Sequence, residues 1–126
     1  MATLKVREDN GSYRYLNTDM IESIHFVFVR KVAVGKTPHA ELYLNFPDDS
    51  VSRKMLSKIN TEIKFRYMVE LWDAKLAKGG LIDIDDLEDN SARRGHAYEE
   101  ANRIFREEQA ARGNLNPQAE GGQDNA

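Results

Sequence analysis

The chain has 126 residues, a formal net charge of −3 and no cysteine. That length suits one modest core, the lack of a basic excess argues against general nucleic-acid binding, and the missing cysteines exclude disulfides and thiolate chemistry. With no long apolar run and no apolar signal core at the start, the expectation is a cytoplasmic protein that does not enter a membrane.

Leu4 and Val6 alternate with Thr3, Lys5 and Arg7, the period of a half-buried strand. Asn10-Gly11 then suits a two-residue type I′ hairpin turn. That turn pairs Val6 with Tyr15 and Glu8 with Tyr13, which puts both tyrosines on the face of Leu4 and Val6. After a short turn at Asn17-Thr18-Asp19 comes a strand with Ile24, Phe26 and Phe28 on one face and Ser23, His25, Val27 and Val29 on the other. A loop with Gly35 and Pro38 leads to "AELYLNF", where Ala40, Leu42, Leu44 and Phe46 point inward and Glu41, Tyr43 and Asn45 outward.

Met55, Leu56, Ile59, Ile63, Tyr67, Met68, Leu71, Trp72 and Leu76 recur at spacings of three and four, which predicts a long helix ending at Gly79-Gly80. Its start is open. Residues 51–58 read either as helix or as a fifth strand, the helix then beginning near Asn60-Thr61. A second helix follows, capped by Asn90 or Ser91, with the stripe Ala97, Tyr98, Ala101, Ile104 and Phe105. The expected fold is α+β: a four-stranded antiparallel sheet, five-stranded if 51–58 is a strand, packed by a long helix. In boundaries, one domain covers 1–112, with sheet 1–50, long helix 51–78, acidic connector 79–90 and second helix 91–112. A disordered tail occupies 113–126.

Charge is distributed in blocks. Residues 51–78 carry seven basic and three acidic groups, and residues 83–90 carry five acids. From Asp83, an EF-hand would need oxygen at the fifth position, glycine at the sixth and glutamate at the twelfth. Leu87, Glu88 and Arg94 stand there, so no metal loop is expected. Ile84 and Leu87 interrupt the acids at spacing three, as contacts anchoring the segment to the body would. His25, His39 and His96 lack the spacing of a zinc motif. "VAVGKT" lacks the first glycine of a phosphate loop and leads into no helix. With no nucleophile–base signature either, neither catalysis nor a cofactor is expected.

Two binding surfaces remain. Arg93, Arg94, His96, Tyr98, Asn102 and Arg106 cluster where the second helix is expected to start. Helix amides and guanidinium forks there could grip an anionic nucleotide, with Tyr98 stacking on its base. The same arginines could instead pair with Asp83, Asp85, Asp86, Glu88 and Asp89, or with Glu99 and Glu107 along the helix. On the long helix, Phe65, Val69 and Trp72, together with Tyr43 on the sheet, offer an interface for a protein partner or a second copy. The leading expectation is a small non-catalytic regulatory binding protein acting through protein–protein contacts as a homo-oligomer. The alternative is an oligomeric binder of an anionic nucleotide-type signal. Hydrolytic or metal-dependent catalysis ranks third.

"YLNTDMIESI" resembles the opening of FlbD-like small flagellar regulators, in which a strand, an asparagine-containing turn and a second strand follow in the same order. The resemblance spans residues 12–30, holds no functional motif and implies no site residue. In layout, a four-stranded antiparallel sheet followed by two helices is similar to phage proteins that sequester nucleotide signals of anti-phage defence, which makes the arginine cluster worth testing.

Overall fold

The computed structural model describes residues 2–30 and 33–115. The expected tail over 113–126 falls outside them from residue 116 onward. The fold is α+β, with two three-stranded sheets in place of one four- or five-stranded sheet. The first sheet runs β2–β1–β6, from β1 (Ala2–Arg7), β2 (Tyr13–Asn17) and β6 (Gly80–Asp83). β1 pairs antiparallel with β2 and parallel with β6, so the sheet is mixed.

The first hairpin closes in a different register from the one expected. Glu8 N–H donates to the Ser12 carbonyl (2.8 Å), and Gly11 N–H to the Glu8 carbonyl (3.0 Å), with Gly11 at φ 88. This is a three-residue loop ending in a left-handed glycine rather than a two-residue turn. Val6 therefore faces Arg14, and Lys5 faces Tyr15. A one-residue slip turns every side chain over. Tyr13 and Tyr15 consequently lie on the outer face, and Leu16 joins the core in their place.

The second sheet runs β3–β4–β5, from β3 (Ser23–Val29), β4 (His39–Asn45) and β5 (Val51–Leu56), all antiparallel. Residues 51–56 are thus strand, and the expected helix over 51–78 loses its first eleven positions. Ile24, Phe26 and Phe28 share one face with Ala40, Leu42, Leu44 and Leu56, as the alternation requires. Both sheets supply the same hydrophobic cluster, whose members include Leu4, Leu42, Leu44, Leu56, Ile59, Met68 and Ile82. Each leucine or isoleucine fully buried there contributes about 1.5–3 kcal/mol. Arg14 Nη2 donates to Ser52 Oγ (2.9 Å) and Lys54 Nζ to the Arg7 carbonyl (3.2 Å), stitching β1–β2 to β5.

The long helix α1 (Glu62–Lys78) begins at the Thr61 cap, whose hydroxyl accepts from Lys64 N–H, and stops at Gly79 in a left-handed conformation (φ 81). Met68 and Trp72 are its buried residues, and the Trp72 ring meets Phe26 edge-on at 5.2 Å. The second helix α2 (Ile84–Leu115) starts seven residues earlier than expected. Its cap is Asp83, whose Oδ1 accepts from the amides of Asp85 (3.0 Å) and Asp86 (3.4 Å). The acidic stretch is therefore no connector: it is β6 and the opening turns of α2, where carboxylates oppose the positive end of the helix. Ser91 is no cap either. It lies fully buried inside the helix, its hydroxyl donating to the Leu87 carbonyl (2.7 Å). Contacts divide the chain into two compact units, one ending at Gly95 and one beginning at His96.

Candidate functional site

The opening turns of α2 decide what the acidic cluster does. Ile84 and Leu87 are fully buried, the anchoring contacts their spacing predicts. Around them the carboxylates take lysines and backbone. Asp83 lies 3.6 Å from Lys5 Nζ, Asp89 takes Lys58 Nζ at 2.5 Å, and Glu88 accepts the Lys58 amide at 2.9 Å. Glu88 is 8% exposed, and burial raises its pKa above the ordinary carboxylate value. Among the described residues, no three His, Asp or Glu side chains converge as metal ligands.

The candidate anion residues sit elsewhere than a helix start. With α2 opening at Ile84, Arg93, Arg94, His96, Tyr98, Asn102 and Arg106 all occupy its middle turns, where backbone amides are spent within the helix. The free amides that an anion would need are upstream, already held by Asp83. Arg93 is exposed and donates to Asn90, while Arg103 is braced by Glu100 (2.7 Å) and Glu107 (2.8 Å). The lysines of β1 and the β5–α1 turn, rather than these arginines, take up the acidic cluster.

The four residues expected at an interface divide between core and surface. Trp72 is 7% exposed and belongs to the core, and Phe65 packs against that core with its ring 5.6 Å from Phe28. Val69 is half-buried. Their spacing suggests a second apolar face on α1, but β3 meets two of its members, Phe65 and Trp72. Tyr43 does stand on the outer face of β3–β4–β5, half-buried.

Tyr43 is part of a cluster that the sequence reading passed over. His39, Glu41 and Tyr43 occupy alternate positions of β4 and share its outer face. Glu41 Oε1 accepts the Tyr43 hydroxyl (2.5 Å), and Oε2 accepts His39 Nε2 (2.8 Å). The second ring nitrogen of His39, Nδ1, lies 3.2 Å from the Thr37 carbonyl. Both partners are acceptors, so the two contacts favour the protonated imidazole. Its pKa accordingly lies above the usual histidine value, raised first by the bond to Glu41 and then by that to Thr37. The Tyr43 hydroxyl, and then His39, lower the Glu41 pKa. The available signal was the spacing H-x-E-x-Y on a strand. It went unread because an outward Glu41 implies solvent, whereas here it is 8% exposed. With both ring nitrogens engaged, His39 is poorly placed to act as a general base.

Between His96 and Arg112 most of α2 is exposed, with Glu99, Glu100 and Asn102 half-buried. Tyr98, Ile104 and Phe105 keep 45%, 47% and 57% of their surface, and these are members of the apolar stripe expected from the sequence. Among the described residues no helix is long and apolar enough to cross a membrane. No family model, curated protein or solved structure matches the chain.

Proposed function

We propose that this chain is a non-catalytic binding protein that acts through protein–protein contact and associates with a second copy of itself along α2. The observation that carries this reading is the exposure of Ala97, Ala101, Ile104 and Phe105 along one stripe of the helix. Helices draw most of their stability from packing an apolar face rather than from propensity. A stripe this open gains from any partner that covers it.

A second copy, as that partner, offers the same stripe. In an antiparallel pair centred between Ala101 and Asn102, the stripe of one copy lies on that of the other, with Tyr98 level with Phe105. Such a contact is isologous and closes on itself. The small Ala97 and Ala101 permit close approach of the two helices.

Sedimentation equilibrium of the full chain tests this from micromolar to near-millimolar concentration. The expected result is a dimer or a closed multiple of dimers, which Ile104→Asp with Phe105→Asp converts to monomer. A monomer throughout that range overturns the reading.

A further inference from the structure

A cleft of about 560 Å³ lies on the outer face of β3–β4–β5, lined there and by Ala33 and residues 36–38 ahead of β4. That volume is in the range of small-molecule sites. Val29 and Met55 supply apolar wall, and Lys36, His39, Glu41 and Arg53 supply charge. All belong to the unit that ends at Gly95.

The balance of these charges selects a ligand. Glu41 is nine-tenths buried, and its two oxygens are taken by His39 and Tyr43. His39 and Glu41 are joined to each other by a hydrogen bond within the cleft lining. Lys36 and Arg53, the latter also in contact with the Tyr43 hydroxyl and close to Glu41, line the same cleft beside an apolar wall. A carboxylate would match one of them. A phosphate monoester, carrying about −1.5 to −2 charges at neutral pH, matches both, and a guanidinium fork fits its oxygens. Strand pairing sets Arg53 directly opposite Tyr43, so the guanidinium starts from a position that the Glu41 network braces.

We propose that this cleft binds a small phosphate monoester, with Lys36 and Arg53 holding the phosphate and Val29 and Met55 packing against its organic body. The site is separate from the self-association along α2, so the two stand or fall independently.

Phenyl phosphate is the probe, titrated into the full chain by calorimetry and by NMR of the methionine methyl groups. Saturable binding that moves the Met55 methyl is expected, with benzoate, phenol and inorganic phosphate each at least about tenfold weaker. Lys36→Ala with Arg53→Ala should lose at least about tenfold in affinity. Both residues are exposed, so the melting temperature of the double variant should hold. Any of three results overturns the proposal: no saturation by about 10 mM, equal binding of benzoate, or full affinity in the double variant. Inorganic phosphate binding as tightly as phenyl phosphate overturns the role given to Val29 and Met55.

Discussion

Gly95 of α2 crosses directly over Lys64 of α1, so closely that a Cβ on Gly95 would stand 2.9 Å from the Lys64 Cα. Glycine inside a helix costs about 1 kcal/mol relative to alanine, and here that cost is what lets the two helices meet. On propensity alone, Gly95→Ala should stabilise the protein. Because the obstacle includes backbone, overpacking of about 1–3 kcal/mol opposes that gain. We expect a net loss in urea-unfolding free energy of up to about 2 kcal/mol. A more stable Gly95→Ala protein would show that the helices separate freely.

Trp72 is the single tryptophan and reports on whether its ring is spent in the core. Its emission should be blue-shifted in the folded protein and should not change when the chain is diluted through any dissociation. Trp72→Ala should cost about 3–5 kcal/mol in unfolding free energy, as removal of a buried aromatic does. Emission that shifts red on dilution would place Trp72 at an interface instead.

The pair of His39 and Glu41 makes stability depend on pH in two directions. The pKa of His39 is raised from 6.5, so its contribution is complete below 6.5 and is lost as pH climbs through the higher folded value. The Glu41 pKa is lowered from 4.5, so its contribution is complete above 4.5 and is lost as pH falls through the lower folded value. Both act fully between those two reference values. NMR titration of the His39 ring should give a midpoint above 6.5, and Glu41→Gln should bring it down toward the ordinary value. An unshifted midpoint in the native chain contradicts a preference for the protonated ring.

Glu88 has the opposite sense from Glu41. Burial raises its pKa from 4.5, so the fold favours the protonated acid and loses that advantage as pH rises through the folded value. Glu88→Gln keeps an oxygen for the Lys58 amide and removes the buried charge. Its melting temperature should exceed that of the native chain at pH 7, and the gap should close below pH 4.5. A variant less stable at pH 7 would mean that Lys58 and Lys54 more than offset the burial.

Local chemistry written in the sequence accounts for much of the fold. Alternation of Ile24, Phe26 and Phe28, and of Ala40, Leu42 and Leu44, fixes which face of the second sheet is buried, because side chains on a strand change face at every residue. Thr61 and Gly79 mark the ends of α1, because a cap bond and a left-handed glycine are satisfied within a few residues. The stripe from Ala97 to Phe105 was equally legible, since helical spacing does not depend on what covers it.

Tertiary structure decided whatever depended on distant partners. The Asn10-Gly11 pair suits two hairpin loops that differ by one residue, and it is burial of Leu16 rather than the tyrosines that selects between them. The β1–β6 pairing joins segments that 72 residues of chain separate (Arg7 to Gly80), so no local pattern reveals it. The acids at 83–89 look like a solvated connector until Lys5 and Lys58 arrive from other elements and let the segment enter a strand and a helix. Glu41 reads as a surface residue until His39 and Tyr43 close over its two oxygens. A single chain of letters records the local preference of each residue, and a buried charge becomes tolerable only when the fold delivers its partners.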